Sequence, residues 1–127
     1  MSKEIIYSAL APEPIGPYSQ AVKAGNLLFV SGQIAINRAT GVIVSSSMQN
    51  ETTQVMVNLE AILKQAGTTF GNVVKSTIFL KDMNSFPVVN EIYGKYFPGN
   101  PPARETVEVS RLPKDVNVEI SCIAIID

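Results

Sequence analysis

Arg104 follows Pro101-Pro102-Ala103 and opens the run Arg104–Val109. A guanidinium held at a strand start, beside a stiff proline loop, offers a planar fork to a carboxylate with little entropy to lose. Most arginines in such settings are simply solvated or ion-paired, so spacing alone leaves both readings open. Its same-parity neighbours are Thr106 and Glu108. Glu119 lies between Val118 and Ile120 in a β-branched run, where an ionised carboxylate resists burial without partners. Such a group suits holding a water and passing protons; an edge glutamate paired with a lysine fits the pattern equally well.

Four further residues have weaker signals. Tyr18 follows Ile15-Gly16-Pro17, a rigid loop able to present a phenol or merely to pack its ring. Ser31 and Gly32 end an apolar run, where a missing side chain lets backbone N–H groups approach a ligand; a plain strand-ending turn is the simpler account. Asn90 falls away from the Val89 and Tyr93 stripe of its segment, as a solvent-facing asparagine would. Cys122, among isoleucines, reads as a core thiol.

The composition narrows the chemistry. There is no histidine, which removes the commonest general base, the Ser-His and Cys-His nucleophile systems and most zinc sites. The single cysteine excludes an intrachain disulfide and offers no metal cluster. A net charge of −1 with scattered Lys and Arg argues against a nucleic-acid binder. Nothing approaches the roughly 20 apolar residues of a membrane span, and no signal peptide is evident at the start. The expectation is a soluble cytoplasmic protein of one domain, residues 1–127.

These residues must be placed by secondary structure. Residues 3–7 predict a short strand, and Ala11–Tyr18 an ordered loop with three prolines. Residues 19–24 and Leu27–Ser31 predict a hairpin across Gly25-Asn26. Asn37–Gly41 reads as a turn before a short strand at Val42–Val44. Over Glu51–Ala66, Val55, Leu59, Ile62, Leu63 and Ala66 share one face of a 3.6-residue period, with Asn50 as cap and Gly67 as stop. Val73–Leu80 is a buried strand. A second helix starts near Asn84 or Ser85, tolerates Pro87 in its first turn, turns Phe86, Val89 and Tyr93 inward and ends at Pro98-Gly99. Strands follow at Arg104–Val109 and Val116–Ile126, around a turn at Leu112–Asp115. The sum is an α+β sandwich, a mixed sheet with two helices on one face. The last strand is apolar on both parities, yet no third helix remains to cover its second face, so a partner subunit is expected there.

Several stretches together resemble the RidA/YjgF family across nearly the whole chain: APEPIGPYSQAV, LLFVSGQIAIN, NLEAILKQAG, VVKSTIFLKDM, VNEIYGKYF and PPARETVEVSRLPKDVNVEISCIAI. The resemblance implies a chorismate-mutase-like α+β fold, a homotrimer with sites in clefts between subunits, and no cofactor. It implies hydrolytic deamination of reactive 2-amino enamines and imines, such as 2-aminoacrylate, to 2-keto acids and ammonia. By position, Arg104 would hold the substrate carboxylate and Glu119 would place water and exchange protons. Tyr18, Ser31, Gly32 and Asn90 would line the pocket. Many deaminase-active members carry cysteine two residues after the arginine; here Thr106 stands there, keeping the backbone contribution and putting the substrate range at issue. The rival expectations are a metabolite-binding regulatory trimer and a ribonuclease or translation inhibitor.

Overall fold

The computed structural model describes residues 2–127. Six strands form one mixed sheet: β1 (Lys3–Ile6), β2 (Ala21–Ala24), β3 (Leu27–Gln33), β4 (Val73–Leu80), β5 (Ala103–Glu108) and β6 (Val118–Ile125), in the order β1-β2-β3-β6-β4-β5. Only β4 and β5 are parallel; every other pair is antiparallel. Helices α1 (Met48–Gln65) and α2 (Phe86–Gly94) supply the second layer. The α+β sandwich expected from the sequence is the fold observed.

Alternation decides which face is dry. In β6, Val118, Ile120, Cys122 and Ala124 are buried with Leu28 and Val30 of β3 and Ile78 and Leu80 of β4, against Val55, Met56, Leu59, Ile62 and Leu63 of α1. The opposite parity carries Phe29 beside Ile123, Leu27 beside Ile125, and Val107 beside Phe79. Phe29, Val107 and Ile125 remain exposed there. An apolar sheet face left open in one chain is the surface a partner would cover.

Some boundaries differ from the sequence expectations. Helix α1 begins at Met48, because the Ser47 hydroxyl, not Asn50, caps it by accepting from the Asn50 amide at 3.0 Å. Gly67 takes the left-handed turn after it at φ 82°. Val42–Val44 is no strand, only a bridge between Ile36 and Ile43. Helix α2 stops at Gly94, short of Pro98-Gly99. Its continuation is a run of turns packed by rings: Tyr93 meets Phe97 at 4.6 Å, and Phe97 meets Phe70 at 5.4 Å.

Candidate functional site: two half-sites on opposite sheet faces

Arg104 pairs across the strands with Ser76, a residue 1% exposed under the helices, so Arg104 points to the helix side of edge strand β5. Its Nη1 donates to Asn90 Oδ1 at 2.8 Å. Its Cζ lies 5.0 Å from the centroid of the Tyr93 ring and 5.5 Å from that of Phe86. Among the described residues it forms no salt bridge. Four of its five N–H donors are therefore left for an anion, and they open on a cleft lined by Tyr93, Pro101 and Pro102. Asn90 is solvent-exposed, as its helical position predicts, yet it is the residue that holds Arg104.

Thr106 lies two residues on, on the same face. The Val109 amide donates to Leu80 O, so the alternate amides of Arg104 and Thr106 turn outward along the free edge of β5. The Thr106 hydroxyl is buried without a hydrogen-bond partner.

Glu119 belongs to the other face. It sits opposite Phe79 in β4, one parity away from Ser76. Burial raises its pKa above the ordinary carboxylate value, and no neighbouring charge or donor offsets that shift. A half-buried carboxylate biased towards its neutral form can exchange protons closer to neutral pH.

Local geometry makes room for it. Val30 pairs with Cys122 and Gln33 with Ile120, so Ser31 and Gly32 together oppose Ser121. This is a β-bulge, a device that re-aims a strand. It turns Gly32 against Glu119, and a Cβ on Gly32 would lie 2.8 Å from the Glu119 Cδ and 3.0 Å from its Cγ. Only glycine leaves that carboxylate in place. Ser31 braces the bulge: its hydroxyl donates to Ser19 O at 2.6 Å, and its amide to Gln20 O at 2.9 Å.

The cleft in front of Glu119 is lined by Pro12, Ile15, Tyr18, Gly32, Ile34 and Pro113, among others. Tyr18, about half exposed, lines this cleft, its hydroxyl accepting from the Ile15 amide at 3.2 Å. Two buried polar residues that sequence reasoning passed over hold these walls. Gln20 Nε2 donates to Pro12 O at 2.9 Å and its Oε1 accepts from the Ser8 amide at 2.6 Å, pinning the proline loop. Glu51, 1% exposed, accepts from both the amide and the side chain of Asn117 at 2.8 Å, fixing the entry to β6 two residues before Glu119. A small apolar cluster of Ile34, Leu112 and Val116 anchors the loop bearing Pro113.

The expected site residues thus fall into two groups. Arg104, Asn90 and Thr106 lie on the helix side of β5; Glu119, Gly32 and Tyr18 gather round one cleft, with Ser31 beneath. Within one chain the groups do not meet. Cys122 belongs to neither cleft, and burial pushes its thiol up to about 12, leaving it inert at neutral pH. Among the described residues, no group of three His, Cys, Asp or Glu side chains is placed to hold a metal ion. Nor is any helix among the described residues long and apolar enough to cross a membrane.

Comparison with known proteins finds relatives that match the chain over nearly its whole length. A family model described as Endoribonuclease L-PSP matches residues 8–126. A RutC family protein of Pyrococcus horikoshii is 55% identical over 96% of this chain and 97% of its own. The chloroplastic Reactive Intermediate Deaminase A of Arabidopsis thaliana is 48% identical over 98% of this chain and 66% of its own. Among solved structures, E. coli TdcF with bound serine superposes at a TM-score of 0.93 and 39% identity, covering 98% of this chain and 99% of that one.

Proposed function

Because the chain belongs to the RidA/YjgF family, to which the Endoribonuclease L-PSP model corresponds, we propose that it hydrolyses reactive 2-amino enamines and their imine tautomers to 2-keto acids and ammonia, as a homotrimer in the cytoplasm. The observation that carries this reading is the pair of incomplete clefts. One presents an unpaired guanidinium; the other presents a carboxylate with a raised pKa and no carboxylate-binding cation of its own. In the proposed trimer the open sheet faces pack inward, and the Arg104 cleft at edge strand β5 of one copy completes the Glu119 cleft of the next. A relative named for deaminase activity, and a structural neighbour with a bound amino acid, support a small carboxylate as the ligand.

In this reading Arg104 takes the substrate carboxylate in its fork, and the outward Thr106 amide adds a further donor. Substrate C2 then lies across the cleft from Glu119. As water adds to C2 of the protonated imine, Glu119 accepts a proton from it. The carboxyl then returns that proton to the nitrogen. Ammonia leaves as the C–N bond breaks and the C–O bond becomes a carbonyl, releasing the hydroxyl proton. The imine is already electrophilic, so orientation, a placed water and one proton-exchanging group suffice.

The test is to generate 2-aminoacrylate in situ with a serine dehydratase and follow its loss with and without this protein. The expected result is catalysed loss matched by pyruvate and ammonia. Loss at the uncatalysed rate, alongside measurable binding of 2-keto acids, would instead assign a non-catalytic metabolite-binding module. The same preparation incubated with single-stranded RNA checks the activity that the family model's description names; a protein of net charge −1 with one unpaired arginine at its cleft is poorly suited to a phosphodiester chain.

A further inference from the structure

Helix α2 presents Phe86, Asn90 and Tyr93 at positions i, i+4 and i+7, one stripe of a helix, and all three touch the same guanidinium. Asn90 accepts from Nη1 at 2.8 Å, and the rings of Phe86 and Tyr93 lie 5.5 Å and 5.0 Å from Cζ. From this geometry we infer that Phe86 and Tyr93 are positioning residues, forming with Asn90 a cradle that fixes the Arg104 fork before any ligand arrives. The inference rests on the reading of Arg104 as the carboxylate-binding group.

Three observations carry it. First, Arg104 stands on the edge strand, and among the described residues it has no carboxylate to hold it. A long, free side chain there would sample many rotamers, and a ligand would have to offset that entropy on binding. Ring faces hold a guanidinium by cation–π attraction without occupying its N–H donors, so the cradle orients the fork and leaves it open. Second, the Tyr93 ring is itself immobilised. It is 5% exposed and packs on Phe97 at 4.6 Å, which packs on Phe70 at 5.4 Å. The guanidinium therefore leans on a wall continuous with the core. Third, the Tyr93 hydroxyl approaches Ser76 but makes no hydrogen bond of good geometry. The part of Tyr93 that serves Arg104 is its ring.

The cradle explains why a helix of nine residues carries Asn90 on a face that its apolar pattern assigns to solvent. It also separates this arginine from Arg38 and Arg111, which are held by the carboxylates Glu13 and Asp115. Those two are satisfied within the chain; Arg104 is oriented yet left unsatisfied.

The test uses the full chain with two readouts. One is the Arg104 Nε–H resonance in proton–nitrogen correlation spectra, assigned with Arg104→Lys. In the native protein it should be shifted by ring currents and exchange slowly with solvent. In Phe86→Leu it should move towards the position of a free arginine. The other readout is calorimetric titration of 2-ketobutyrate. Phe86→Leu and Tyr93→Leu should each weaken binding by roughly 3- to 30-fold, the range of one cation–π contact. KM should rise in step, with a smaller change in kcat. Tyr93→Phe, which keeps the ring, should rescue most of the Tyr93→Leu loss. In an Arg104→Ala background, Phe86→Leu should change affinity by less than about twofold, because its effect runs through the arginine.

An unmoved Arg104 resonance in Phe86→Leu overturns the inference. So does a loss of affinity that persists undiminished without Arg104, since that is the mark of a merely structural role. If Arg104→Ala itself leaves 2-ketobutyrate binding unchanged, the carboxylate reading fails, while the resonance still decides whether the cradle exists.

Discussion

Arg104 and Glu119 point to opposite faces of one sheet. The relationship follows from register: Arg104 shares the parity of Ser76 in β4, Glu119 that of Phe79, and residues of opposite parity in a strand face opposite ways. No rotamer change brings the two side chains together within a copy. A chemistry that needs both would draw them from different copies, with Arg104 offered from the edge strand β5 of one and Glu119 from the open sheet side of another.

Gly32 provides a sharp test of how Glu119 is placed. A Cβ there would meet the flexible end of the Glu119 side chain rather than backbone. Gly32→Ala should therefore displace the carboxylate while costing little stability, within about 1 kcal/mol. The expected result is a fall in kcat approaching that of a Glu119 variant, with a nearly native thermal midpoint.

Glu119→Gln keeps the volume and removes the base. Positioned acid–base groups contribute about 10²–10⁴-fold, and the rate should fall by that order. Stability should move the other way. The folded-state pKa of Glu119 is raised by burial, so the folded protein binds this proton more tightly than the unfolded chain does. The stabilising contribution is present below the ordinary carboxylate pKa and is lost as pH rises through the folded value. Glu119→Gln should accordingly raise the thermal midpoint at neutral pH and have a diminishing effect under acid conditions. A midpoint that falls equally at every pH would show Glu119 to be a structural acceptor.

Thr106→Cys tests the departure from the family pattern. The outward amide of residue 106 is set by strand register and survives the change. Activity on 2-aminoacrylate should stay within roughly tenfold, about 1.4 kcal/mol in barrier. A much larger gain would locate substrate selection in the buried, unpartnered Thr106 hydroxyl.

Glu51 is a scaffold residue with a remote effect. Glu51→Ala leaves the Asn117 amide and side chain without their acceptor. Each unsatisfied donor costs about 1–3 kcal/mol, and these two, being part-buried, fall towards the lower end, so urea denaturation should show a loss of roughly 2–4 kcal/mol. Its contact lies two residues from Glu119, and kcat should fall more than KM rises.

How much of this was legible beforehand differs residue by residue. The helix over Val55–Leu63, the hairpin at Gly25-Asn26 and the β4 strand follow local periodicity and turn chemistry, and these local signals survive folding. Arg104 and Glu119 stood out singly, by residue type and place. Their opposite orientation did not, because it depends on the strand order β6-β4-β5, which only long-range pairing decides. The bulge at Ser31-Gly32 had one cue, a glycine inside an apolar strand. Glu51 stands in the sequence only as the start of the predicted helix, and its partner is 66 residues away. The apolar stripe rightly left Asn90 exposed, but its contact with Arg104 is signalled only by the spacing of Phe86, Asn90 and Tyr93. The cap at Ser47 shows the usual limit, since Asn50 and Ser47 are both good capping types and only geometry chooses.

The central claim, a site completed by neighbouring copies, is tested most directly by mixing two dead variants. Arg104→Ala and Glu119→Gln are unfolded together in equal amounts, refolded, and assayed on 2-aminoacrylate beside each variant refolded alone. In a cyclic trimer every mixed assembly holds one cleft with both native residues, so the mixture should recover roughly a quarter of the native rate. Mixed trimers that form, as native mass spectrometry would show, but recover no activity beyond the separate variants would contradict the account.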